Sequence, residues 1–129
     1  MNIPFQIMLP KFRIENRDIH LSFSIMGKVG IPRVTMVIDH WKIIDQKGRG
    51  VRGIPTGENR YITMNQYGKK IDLVMKDAGV QLSYDCLDIC IHFLTQNSQS
   101  IEAHYSYKII GNRFGFSRID ETPTKKSNG

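Results

Sequence analysis

The 129-residue chain has little of several things that would narrow its class at once. It holds two cysteines, Cys86 and Cys90, four residues apart on a run with the pattern of a strand. Over four extended residues Cα atoms separate by roughly 13 Å, whereas a disulfide needs them within about 7 Å. Both thiols are therefore expected to stay reduced, which favours a reducing compartment. No apolar run approaches the roughly 18 residues of a membrane-spanning helix. The opening stretch from Met1 to Pro10 lacks a basic region and carries Pro4 and Pro10, so it does not have the form of a cleaved signal. The expected location is intracellular, cytoplasmic or membrane-peripheral, unless a leader has been removed. Walker loop, nucleophile elbow and His-Glu-x-x-His helix are all missing.

What is present is strand pattern. Leu87, Ile89, Ile91 and Phe93 share one parity, as do Ile101, Ala103, Tyr105, Tyr107 and Ile109. Period-two alternation in β-branched and aromatic residues marks half-buried strands. Gly111-Asn112 predicts a two-residue hairpin turn, setting Ile109 opposite Phe114 and Tyr107 opposite Phe116. Leu87 to Ile119 should thus be a three-stranded antiparallel meander. Upstream, Phe12 and Ile14 have even parity while Ile19, Leu21, Phe23 and Ile25 have odd parity, so Glu15 to Asp18 must hold a bulge or tight turn. The apolar residues from Val34 to Ile44 fall on both parities, which predicts a strand covered on both faces. Asp45 to Asn59, with four glycines and one proline, is expected to be one long loop. Tyr61 to Gln66 and Lys70 to Lys76 predict a second hairpin pairing Met64 with Ile71 and Ile62 with Leu73; a helix over 69–78 competes on spacing. Val80, Leu82 and Tyr84 predict a strand leading into the meander. The expected fold is an all-β antiparallel sandwich or barrel of seven or eight short strands with at most one short helix. Residues 1–119 form a single domain, and 120–129 a flexible tail.

Charge is the strongest functional signal. Between Lys42 and Lys70 lie seven basic residues (Lys42, Lys47, Arg49, Arg52, Arg60, Lys69 and Lys70) against two acidic ones, Asp45 and Glu58. The net charge of +6 therefore comes almost wholly from this segment. Glycines beside Arg49 and Arg52 would let backbone amides and guanidinium groups approach phosphate, while Trp41, Tyr61 and Tyr67 could stack on unpaired bases. A solvated basic loop with Trp41 in the core is the plainer alternative. Cys86, Cys90, His92 and His104 share even parity, and a turn near Ser98 would set His92 opposite His104. Zinc spacings are absent, so no metal or other cofactor is expected and the histidines are assigned to an exposed cross-strand pair. Asp39 and His40 are sequence neighbours, and on a regular strand they point to opposite faces and form no dyad.

Together these features predict a non-enzymatic binding protein that recognises RNA, single-stranded nucleic acid or an acidic membrane through a basic Gly/Arg-rich loop. Self-assembly as a homo-oligomer is part of that profile, which is similar to that of viral matrix-type proteins. The alternatives are a protein-interaction module, inhibitor or antitoxin-like, that uses a sheet edge or face, a β-barrel for a small apolar ligand, and a small nuclease with scattered residues.

Overall fold

A computed structural model describes residues 5–28, 34–64, 68–78, 86–96, 99–108 and 113–123. It is built almost wholly of β-strands: β1 (Phe5–Glu15), β2 (Asp18–Gly27), β3 (Val34–Asp45), β4 (Gly50–Gly53), β5 (Tyr61–Met64), β6 (Lys69–Met75), β7 (Cys86–Thr95), β8 (Gln99–Lys108) and β9 (Arg113–Pro123), with a 3-10 turn at Gly57–Asn59. β1, β2 and β6 form one antiparallel sheet in that order, and β4, β3, β7, β8 and β9 form the second, with β5 also pairing with β3. Phe5 packs on Phe93 and Phe12 on Tyr107, with ring centroids 4.9 and 4.7 Å apart, so the sheets share one apolar core as a sandwich. Among the described residues no helix is long and apolar enough to cross a membrane.

Strand alternation does most of the sorting. In β2 every second residue is buried, with Ile19, Leu21, Phe23 and Ile25 at 2% exposure or less. The parity switch before β2 is a tight turn. Asn16 and Arg17 both have positive φ (50° and 74°), and Glu15 pairs with Asp18. That is the backbone of a two-residue type I′ hairpin, whose twist matches its strands. β1 starts well before Phe12 and tolerates Pro10 because it lies at a sheet edge, with its register shifting between Met8 and Lys11.

Several expectations are corrected. β5 and β6 do not pair with each other: β5 joins β3 and β6 joins β2, so the chain crosses between sheets. Ile62, Ile71 and Leu73 are all buried in the shared core, which is why their spacing imitated a hairpin. Residues 69–75 form a strand, since only Ile71, Leu73 and Met75 are buried, at period two. The long loop is partly ordered: Asp45 to Gly53 closes as a β3–β4 hairpin, with Ile43 opposite Val51. The buried Asp45 carboxylate organises its turn, accepting hydrogen bonds from the amides of Lys47 (3.0 Å) and Arg49 (2.9 Å) and from Arg49 Nε (3.1 Å). β9 runs into the expected tail, pairing Glu102 with Asp120 and Gln99 with Pro123. Tyr107 faces Phe114, and Phe116 faces Tyr105, two residues out from the expected register. The Gly111-Asn112 turn, Tyr67 and the predicted strand at Val80 to Tyr84 lie outside the described residues.

Candidate functional site

The site grows from an irregularity in β3. Met36 and Ile38 are buried, then Trp41, Ile43 and Asp45, so burial changes parity between residues 38 and 41. The ladder to β7 pairs Ile38 with Phe93 and His40 with His92, leaving Asp39 as an extra residue. This is a β-bulge. It explains the apolar residues on both parities without requiring a strand covered on both faces: Lys42 is only half-buried and Ile44 is exposed.

The bulge also overturns the expectation that Asp39 and His40 stay apart. His40 Nδ1 lies 2.7 Å from Asp39 Oδ2, and the hydrogen bond to His40 is the main reason the Asp39 carboxyl is held below its usual range. Asp39 also feels the positive charges of Arg60 and Arg52. The His40 ring stacks on His92 across the ladder, with centroids 4.0 Å apart and planes 21° from parallel.

β7 and β8 extend this patch. Their register sets Cys90 opposite His104 and His92 opposite Glu102, so the predicted His92–His104 pairing is displaced by two residues. Cys90 Sγ lies 3.4 Å from His92 Nε2, 3.8 Å from Glu102 Oε1 and 3.9 Å from His104 Nε2. Glu102 also approaches His104 Nε2 at 3.1 Å and His92 Nδ1 at 3.5 Å. Burial holds the His92 imidazole below its usual pKa, His40 and Lys42 add to that effect, and Glu102 and Asp39 oppose it. Cys86 sits elsewhere, opposite Lys108, with its amide donating to Gln46. Glu102 shares the even parity of His92 and His104, which is the sequence signal that places it on their face. The signal for His40 was the parity switch between Ile38 and Trp41.

The basic residues divide into groups. Lys42 and Arg52 are directly opposite on β3 and β4. Arg60 follows the 3-10 turn beside β3, where its carbonyl accepts the Ile38 amide at 2.9 Å, and its guanidinium carbon lies 5.8 Å from the centre of the exposed Tyr61 ring. Lys47 and Arg49 belong to the β3–β4 turn, and Arg49 is engaged by Asp45. Lys69 and Lys70 lie on β6, in the other sheet, opposite Ile25 and Ser24. Trp41 is fully buried between the sheets, so it cannot stack on a base. A shallow groove of about 360 Å³ next to Lys42 is lined by Ile44, Cys90, His104 and Tyr105.

No protein-family profile and no curated protein matches the chain. A distant solved structure shares its fold. The chain is similar to catalytically inactive OgpA from Akkermansia muciniphila in complex with the O-glycopeptide glycodrosocin, at 10% identity and a TM-score of 0.53, over 88% of this chain and 30% of that one. Wild-type OgpA gives 11% identity and a TM-score of 0.48 over 85% and 30%, and the putative ApaA protein from Bordetella pertussis gives 12% and 0.41 over 96% and 98%. The chain spans about 30% of OgpA's length, and at 10% identity the likeness to the glycodrosocin-bound structure is one of fold alone.

Proposed function

We propose that the protein is a non-enzymatic binding module that takes single-stranded nucleic acid on the outer face of its larger sheet. Lys42, Arg52 and Arg60 meet phosphates, and Tyr61 offers a ring to an unpaired base. The observation that carries this reading is the register pair of Lys42 and Arg52. Like charges directly opposite on antiparallel strands oppose folding, and neither side chain makes an ion pair among the described residues. An anionic ligand relieves that repulsion. Tyr61 is 64% exposed beside Arg60, giving a stacking surface that Trp41 cannot supply.

The test is fluorescence anisotropy with a labelled single-stranded oligonucleotide across a salt series. Each phosphate contact contributes about −0.7 to the slope of log affinity against log salt on a single strand, so Lys42→Ala with Arg52→Ala should flatten the slope by about 1.4. Lys69→Ala with Lys70→Ala removes equal charge from the other sheet and should leave the slope nearly unchanged. Equal losses in the two double variants, or binding to acidic lipid vesicles without binding to the oligonucleotide, would sink the reading.

A further inference from the structure

The anion-binding reading leaves Cys90, His92, Glu102 and His104 unused. We propose that these four side chains bind one divalent ion of the zinc class, through Cys90 Sγ, His92 Nε2, Glu102 Oε1 and His104 Nε2.

Geometry is the first argument. Bonds of about 2.0–2.1 Å to nitrogen or oxygen and about 2.3 Å to sulfur, at tetrahedral angles, place ligand atoms roughly 3.3–3.6 Å apart. Four close contacts between these ligand atoms span 3.1 to 3.9 Å. Ligand atoms of Cys90, His92 and Glu102 all lie within 4.8 Å of one another, and His104 closes on two of the three.

The donor set points the same way. Thiol, imidazole and carboxylate all carry lone pairs that a metal ion accepts, and Cys90, His92, Glu102 and His104 gather four such groups in one small patch. Glu102 Oε2 lies 3.5 Å from His92 Nδ1, so a proton there leaves Nε2 open towards Cys90. Behind it, Asp39 anchors His40, and His40 stacks on His92, which holds the ring's orientation.

Donor chemistry selects the ion. Thiolate with imidazole favours zinc and its neighbours over magnesium or calcium, which take oxygen ligands. On binding, the Cys90 S–H bond breaks, its proton goes to solvent and the thiolate pair is donated to the metal.

The experiment uses the full chain stripped with a chelator and titrated with zinc chloride alone by calorimetry, and with cobalt(II) followed by absorption. The expected result is saturable uptake of one equivalent with proton release, and a cobalt spectrum with tetrahedral bands and a thiolate charge-transfer band. Cys90→Ser should abolish that band and Cys86→Ser should leave it intact. Glu102→Gln or His104→Ala should weaken zinc by more than about tenfold, the least that loss of even an outer-layer partner costs. If Cys90→Ser fails to fold, the cobalt spectra of the parent and Cys86→Ser proteins decide alone. No saturable uptake, no thiolate band, or a band lost in Cys86→Ser would overturn the proposal, and none of these outcomes depends on nucleic-acid binding.

Discussion

Asp45→Ala tests how the β3–β4 hairpin is held. The side chain is fully buried and accepts hydrogen bonds from two backbone amides and from Arg49 Nε among the described residues. Hydrogen bonds to charged groups contribute about 1.5–3 kcal/mol each. The donating residues Lys47 and Arg49 are exposed, so water can replace part of what is lost and the lower end applies. The Arg49 side chain is 53% exposed, and its ion pair is screened to within about 1 kcal/mol. No charge is stranded by the substitution, because the buried partner is the one removed. Two amide bonds at about 1.5 kcal/mol each and an ion pair of up to about 1 kcal/mol give a net cost of about 3–4 kcal/mol, read by urea denaturation. At about 3–4 °C per kcal/mol for a domain of this size, Tm should fall by about 9–16 °C. Arg49→Ala should cost under about 1 kcal/mol. If Asp45→Ala stays within about 0.5 kcal/mol of the parent, as an ordinary surface change would, the buried carboxylate does not organise the hairpin. If Arg49→Ala costs as much as Asp45→Ala, the exposed ion pair and not the amide bonds holds the turn.

Gly53 has no room for a side chain: an added Cβ would lie 2.8 Å from Met75 Cγ and 3.0 Å from Trp41 Nε1. Gly53→Ala should therefore destabilise by about 1–3 kcal/mol through overpacking, measured by thermal denaturation; a neutral result would show that Met75 moves aside freely. Asp18 accepts the Asp77 amide at 2.9 Å, chiefly because of which its carboxyl is held below the usual range. A depressed folded pKa gives stability that is present above the unfolded value and lost as pH falls through the folded one. Asp18→Asn should thus flatten the decline of Tm below about pH 4, and an unchanged acid limb would remove Asp18 as a contributor.

Faces were far more legible in the sequence than partners were. Tyr105, Tyr107, Ile89 and Ile91 are buried as their parity requires, yet both meander hairpins pair two residues away from the turn-based expectation. A slip of two leaves every side chain on its own face, so alternation cannot detect it. The slip matters for chemistry, because it places Glu102, and not His104, across from His92. The hidden crossover between β5 and β6 has a similar origin, since residues buried from opposite sheets have the same spacing as residues facing across a hairpin. Arg49 could not be assigned from composition either: its engagement depends on Asp45 being buried, which only the closed hairpin brings about.

The extra residue in β3 behaves as a local insertion that the core does not need. With Asp39 deleted, Ile38, His40 and Trp41 would follow one another as inward, outward and inward on an unbroken strand, and Trp41 and Ile43 would keep their places opposite Ile91 and Ile89. Loss of one residue from the middle of a paired strand normally turns half of it inside out. At this position it should instead yield a folded protein with a regular ladder, whose His40 has lost its carboxylate anchor. Architecture and the second layer of the polar patch are therefore separable at one codon: a descendant chain could discard the anchor of His40 by a single in-frame deletion and keep the sandwich, or an ancestor could have acquired that anchor by the reverse step.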